Sequence, residues 1–149
     1  MNPGDMPNEI LSYCLETGQP EPRTIGETVR CIMESLALRY RQVLEQAEAL
    51  TGARFEGLHM VGGGIQNELL CQFTANAIAR SVWTGPVEAS AIGNMLVQLQ
   101  AGGYIRDMEE GIEYVKSSFL LRSYSPEHRE EWVSAYAKYC GITVNVHLS

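Results

Sequence analysis

Aspartate is almost missing from this chain: of 18 acidic residues only Asp5 and Asp107 are aspartates, and both sit where a helix is about to begin. Reactions that need a carboxylate base, with further carboxylates to hold a divalent metal, are therefore poorly provided for. Basic residues are also few. Eleven lysines and arginines leave a net charge of −7, which argues against a nucleic-acid partner, since the phosphate backbone calls for a basic face. No apolar run approaches the ~20 residues needed to span a bilayer. The opening Met1-Asn-Pro-Gly-Asp-Met-Pro has neither a basic region nor an apolar core, so it does not read as a secretory signal, and a cytoplasmic address is the default expectation.

Metal and nucleophile patterns are lacking as well. Cys14, Cys31, Cys71 and Cys140 form no CxxC and no Cys/His spacing suited to zinc. Cys31 and Cys71 fall among apolar helical positions, where a reduced thiol behaves as a small hydrophobe. His59, His128 and His147 are scattered, and His59 follows a strand alternation that reads as structural. Ser90 has no histidine in view, and GxSxG does not occur. There is no internal repeat, no low-complexity segment and no linker dividing the chain.

What is present is the composition of an ordinary globular domain: 149 residues, 45% hydrophobic and 19% charged, enough to bury a core. Asp5-Met6-Pro7 reads as a helix start, with Ile10, Leu11, Cys14 and Leu15 as the apolar face and Gly18 at the end. Gln19-Pro20-Glu21-Pro22 is a stiff connector. Thr24 and Glu27 fit a capping box that opens a long helix to about Leu50. In it, Ile25, Val29, Ile32, Met33, Leu36, Tyr40, Val43, Leu44 and Ala47 keep the 3.6-residue period of a buried face, with Arg30, Glu34, Arg41, Glu45 and Glu48 as the solvated side. Thr51-Gly52 closes it. A strand at 57–61, a helix from about Gln66 to Ala79 and a short strand at Ser81-Val82-Trp83, stopped by Gly85-Pro86, make a compact α/β unit. A helix from Ala89 to Gln100 turns Ala91, Met95, Leu96 and Leu99 inward. Asp107 to Glu110 fits a second capping box, ahead of Ile112, Val115 and Phe119. The last helix is expected to begin at Ser125-Pro126-Glu127, pack Trp132, Val133, Tyr136 and Tyr139, and end at Gly141. After it, the alternating tail from Ile142 to Leu148 adds an edge strand or frays.

The most informative stretch is Val61-Gly62-Gly63-Gly64-Ile65-Gln66-Asn67-Glu68-Leu69-Leu70, which joins the first strand to a helix. Three glycines there leave the backbone bare and free to adopt positive φ. A ligand then lies against the main chain, beside helix N–H groups that attract negative charge, which suits a nucleotide. The alternative is a tight strand-to-helix turn with no ligand. Glu68 in the first turn of its helix and Glu88 at the opening of the next are better explained by the helix dipole than by catalysis. The chain is equipped to bind rather than to catalyse, as half of an active site would be.

That stretch, with Trp83-Thr-Gly-Pro-Val-Glu-Ala-Ser and Ala91-Ile-Gly-Asn-Met-Leu-Val-Gln-Leu, resembles the carboxy-terminal domain of the FGGY carbohydrate kinases. Asn2-Pro-Gly-Asp-Met and Gly26-Glu-Thr-Val-Arg-Cys-Ile-Met-Glu-Ser-Leu-Ala-Leu-Arg-Tyr-Arg resemble the same family in matching order. The likeness covers nearly the whole chain and weakens after about Tyr104. It implies an α/β fold of the ribonuclease-H-like, actin-like ATPase class, helix-rich with a small sheet, in which residues 1–149 form one domain, the C-terminal nucleotide-binding lobe. Such kinases have two lobes, with ATP and sugar between them. Gly62, Gly63 and Gly64 match the family's adenosine motif, and Gln66 and Asn67 match the polar positions after it.

The resemblance further implies that the catalytic aspartate, the phosphate loops and most sugar contacts belong to a preceding N-terminal kinase lobe. That lobe is the expected partner, and Met1 is then a boundary inside a longer kinase or the start of a truncated product. No catalytic residue and no metal ligand is expected in this chain. The expected cofactors are ATP and Mg²⁺, the metal held mainly by that other lobe and the phosphates. The expected reaction is phosphorylation of a sugar, L-rhamnulose to its 1-phosphate, with another ketose as an alternative. A reading from a different class, a non-catalytic helical interaction module, stays open. Two departures stand out: Asn76 replaces the family's usual aspartate after Ala75, and Ala79 its usual helix-ending glycine.

Overall fold

The computed structural model describes residues 4–146. Its order is α1 (Met6–Glu16), α2 (Ile25–Thr51), β1 (Gly57–Met60), a short 3₁₀ turn (Gly63–Gln66), α3 (Glu68–Ile78), β2 (Ser81–Thr84), α4 (Ala89–Ala101), α5 (Met108–Ser118), β3 (Ser123–Tyr124) and α6 (Arg129–Val146). The helix signals act where the sequence places them. Asp5 accepts from the Asn8 N–H at 3.3 Å and caps α1. Thr24 and Glu27 complete their capping box, and Gly52, in the left-handed region at φ 68°, closes α2. Asp107 accepts from the Glu110 N–H at 2.9 Å, but Glu110 reaches past Asp107 to the Arg106 N–H at 2.8 Å.

The sheet has the order β1-β2-β3. β1 and β2 run parallel, joined through α3, with Leu58 opposite Val82 and Met60 opposite Thr84. β3 adds antiparallel, pairing Val82 with Tyr124. Its two residues carry no periodic signal, and the sequence does not announce it. One core cluster gathers Ala75, Ile78 and Val82, with Leu44, Leu58, Met60 and Tyr124 packed on it. The other joins Ala37, Leu38, Phe73, Ala77 and Trp132, with Met33, Tyr136 and Tyr139 alongside. α3 lies between the two and is buried from Phe73 to Ile78.

The largest correction concerns α2. Part of its expected solvated side, Arg41 and Glu48, faces inward, while Arg30 and Glu45 stay exposed and Met33 and Leu44 of the expected apolar row pack on the core. Arg41 donates to the Ala77 carbonyl at 3.2 Å and lies 3.9 Å from the Tyr136 ring centre. Glu45 accepts from the Tyr136 hydroxyl at 2.6 Å, and Glu48 pairs with Arg80 beyond α3. Ala37 and Leu38, outside the expected apolar row, are the buried residues of this helix, while Ile25, Val29, Ile32, Leu36 and Val43 are exposed. The 3.6-residue period locates a stripe but does not say which way it points, and guanidinium stems pack well against aromatic and aliphatic neighbours.

Other expected inward positions are also exposed: Leu15, Ala91, Met95, Ile112, Phe119 and Val133. Leu96 is buried as expected, and with Ile105 it closes on Gly111, where an added Cβ would come within 3.0 Å of both side chains. The last helix starts later than expected. Ser125 and Glu127 are tethered to α3, through the Ser125 carbonyl to Gln72 and the Glu127 N–H to Asn76, both at 2.8 Å, and His128 adopts φ 51° before the helix begins. Nor does α6 stop at Gly141. That glycine is not in the left-handed conformation that ends a helix, and Ile142 to Val146 continue the helix where an edge strand or fraying was expected. His147 and Leu148 of that tail lie outside the described residues, as do Asn2 and Pro3.

Candidate functional site

The site grows from the carboxyl ends of the two parallel strands. Past Val61 the chain reverses at Gly62, whose φ of 82° no side-chain-bearing residue adopts without strain. The Gly62 N–H reaches the Pro86 carbonyl at 3.4 Å, and the Gly85 N–H donates to the Met60 carbonyl at 2.8 Å. The loop after β1 and the loop after β2 are thereby stitched side by side. An added Cβ on Gly85 would lie 2.7 Å from Val61, so the gap between the two loops has no room for a side chain at that position.

Gly63 and Gly64 turn out to be ordinary in φ and belong to the 3₁₀ turn, so the expected positive φ is confined to Gly62. What all three share is open space: a Cβ on any of them would meet nothing within 4 Å. The bare main chain read from the sequence is present, and none of the protein's own side chains fills the volume beside it.

Gln66 is exposed at the end of the turn. Asn67 is more committed. Its Oδ1 accepts from the Leu70 N–H at 3.1 Å, capping α3, and its Nδ2 lies 3.6 Å from the Met33 sulfur. Beside the turn is a cleft of about 350 Å³, with Ile65, Val87 and Leu120 as apolar walls and Gln66, Thr84 and Arg122 as polar ones. Thr84 and Arg122 are clamped together: the Thr84 N–H donates to the Arg122 carbonyl at 2.8 Å, and the Arg122 N–H to Thr84 Oγ1 at 3.1 Å. The Arg122 guanidinium forms an ion pair with Glu68. Glu68 thus acts as the first-turn carboxylate it was expected to be, with a cationic partner 54 residues away that no local pattern reveals. Arg122 and Thr84 are the residues that sequence reasoning missed, because only the pairing of β2 with β3 brings them here.

Among the described residues no cluster of three or more His, Cys, Asp or Glu is arranged to hold a metal ion. Burial pushes the Cys71 and Cys14 thiols up, Cys14 further so by its neighbour Cys31, which disfavours thiolate. His59, exposed on β1, stacks on Trp83 at 5.0 Å. Glu88 caps α4 without a side-chain hydrogen bond. What remains beside the capped N-terminus of α3 is the uncovered main chain of Gly63 and Gly64, the Gly62 N–H being directed at the Pro86 carbonyl and Glu68 being paired with Arg122.

A sequence model of the FGGY family of carbohydrate kinases, C-terminal domain, matches residues 1–102. The rhamnulokinase of Bacteroides thetaiotaomicron is 49% identical over 135 residues, which is 91% of this chain and 28% of that protein. The rhamnulokinase of Bacillus subtilis is 38% identical over 127 residues, 85% of this chain and 26% of that protein. The chain thus spans about a quarter of the length of these curated relatives. Among solved structures, the xylulose kinase from Rhodospirillum rubrum matches with a TM-score of 0.68 over 87% of this chain and 26% of that one. At 19% identity that likeness speaks to the fold, and it agrees with the helix-rich α/β class with a small sheet.

Proposed function

The chain belongs to the FGGY family of carbohydrate kinases, and from that premise we propose that it supplies the adenosine-binding half of the cleft in an ATP-dependent sugar kinase. The sugar we propose is L-rhamnulose, converted to its 1-phosphate, since curated relatives of this chain are rhamnulokinases. The single observation that carries the nucleotide site is the open main chain of Gly62, Gly63 and Gly64. It sits at the carboxyl ends of parallel strands, where α/β folds bind their ligands.

In this reading the glycines admit the adenosine and α-phosphate end of ATP against bare backbone. Gln66 offers its amide to the bound molecule. Asn67, by capping α3, holds the turn and the helix N-terminus in register, and its remaining amide hydrogen is available to the ligand. The positive end of α3 adds favourable potential for phosphate. ATP with Mg²⁺ supplies the γ-phosphoryl group and neutralises its charge during transfer. The base that takes the sugar proton, the phosphate loops and most sugar contacts belong to an N-terminal kinase lobe, and the assembled enzyme works in the cytoplasm.

Replacing Gly63 by valine tests the reading. A Cβ there meets open space, so the fold survives while the larger side chain occupies the nucleotide's place. We expect unchanged thermal melting and at least a tenfold loss of MgATP affinity by titration calorimetry. Equal affinity in both proteins, or no measurable affinity in the parent at millimolar nucleotide, would leave the turn a connector.

A further inference from the structure

Arg122 is a cation on a fixed stem at the rim of the cleft beside the glycine turn. Its main chain is clamped to the buried Thr84 by two hydrogen bonds, at 2.8 and 3.1 Å. Beyond that clamp the side chain is open to solvent, as is its partner: the Arg122 and Glu68 side chains are 51% and 64% exposed. An ion pair this open to water contributes little to stability, so folding does not account for a guanidinium at this place. Arg122 also lies beyond residue 102, where the family match ends, so that match assigns it no role. The walls beside it are apolar. Ile65 and Val87 are half-buried, and Leu120 is 82% exposed although it lines the same cleft. A volume of about 350 Å³, with such walls and one polar edge, has the make-up of a small-ligand pocket. It adjoins the glycine turn through Ile65 and Gln66.

We infer that Arg122 is a nucleobase-contacting residue: the purine ring enters against Ile65, Val87 and Leu120, and the guanidinium lies flat on its open face. Arginine suits this task, being planar, weakly hydrated and attracted to the face of an aromatic ring. A lysine ammonium, compact and strongly hydrated, does not replace it. Glu68 is the positioning residue. From the first turn of α3 its carboxylate holds the guanidinium at the cleft in advance, so less side-chain freedom is lost when the base arrives. The same carboxylate decides which part of the nucleotide belongs here. A phosphate in the cleft would meet Glu68 as well as Arg122 and be repelled by it, whereas a neutral base meets no such charge. This assignment rests on the reading of the glycine turn as a nucleotide site and adds to it the residue that grips the base.

The test is NMR titration of the chain with adenosine, ADP and inorganic pyrophosphate, comparing the parent with Arg122→Ala, Arg122→Lys and Glu68→Gln. Both Arg122 variants keep the clamp to Thr84, which uses only main-chain atoms of residue 122, and should melt with the parent. We expect a roughly fivefold loss of adenosine affinity in both, the same loss for ADP, and no rescue by lysine. Glu68→Gln should show a smaller loss, and adenosine should shift the Arg122 Nε–H resonance in the parent. Adenosine and ADP affinities that ignore both Arg122 variants would overturn the inference. So would full rescue by lysine, or a loss confined to ADP and pyrophosphate, because Arg122 would then be a charge contact to phosphate. A parent that binds neither adenosine nor ADP removes the nucleotide reading and this assignment together. A parent that binds both, with affinities indifferent to Arg122, removes this assignment alone.

Discussion

Arg80 clasps Glu48 at two points, Nη1 to Oε1 at 2.6 Å and Nη2 to Oε2 at 3.1 Å, tying the last turns of α2 to the segment that leaves α3. The same pair holds the loop before β1: Arg80 donates to the Phe55 carbonyl at 2.7 Å, and Glu48 accepts the Phe55 N–H at 2.8 Å. The Arg80 guanidinium, and after it the Phe55 N–H, keep the Glu48 carboxyl below its ordinary range. A depressed carboxyl contributes stability that is present above the unfolded-state pKa, about 4.3 for glutamate, and is lost as pH falls through the lower folded value. The melting temperature of Glu48→Gln should therefore lie below that of the parent at pH 7. The gap should narrow below about pH 4, as checked by thermal melts across pH 3 to 7. A gap independent of pH would mean that the clasp acts through shape and not charge.

Ala79 predicts a stabilising change. It ends α3 at φ 53°, ψ 35°, with its N–H reaching the Ala75 and Asn76 carbonyls. The left-handed region costs an L-residue roughly 1 kcal/mol or more, a penalty glycine escapes. Ala79→Gly should raise unfolding free energy by about 1 kcal/mol in urea titrations, and a decrease would show that the alanine methyl packs usefully.

Asn67 separates helix capping from ligand contact. Asn67→Ala removes the acceptor for the Leu70 N–H and should cost about 1 kcal/mol. Asn67→Asp keeps that acceptor and complements the helix dipole, so its stability should stay within a few tenths of a kcal/mol of the parent. If MgATP binding falls in both variants, the amide donor is used by the nucleotide. If it falls only in the alanine variant, the cap alone matters.

Trp132 anchors α6. It is buried against Phe73, with ring centres 5.2 Å apart. Trp132→Ala should remove about 3–5 kcal/mol of stability, read from denaturant unfolding, and loosen α6 before the sheet, read from amide exchange.

How much of this was legible depended on range. Caps and glycines act within one turn, so Asp5, Thr24, Gly52 and Asp107 announced their helices, and the glycine turn announced its bare backbone. The facing of α2 was not legible, because Arg41, Glu45 and Glu48 find their partners at Ala77, Tyr136 and Arg80, on elements 36, 91 and 32 residues away. Arg122 escaped notice for the same reason: its place beside Glu68 exists only after β3 joins β2. The late start of α6 likewise depends on Asn76, whose side chain captures the Glu127 N–H from across the fold.

The most direct test maps ADP onto the chain by backbone-amide NMR at millimolar nucleotide. The account predicts shifts centred on the amides of Gly62, Gly63 and Gly64 and continuing through Gln66 into the first turn of α3, all abolished by Gly63→Val. Shifts that are absent there, or that survive the valine unchanged, would contradict it.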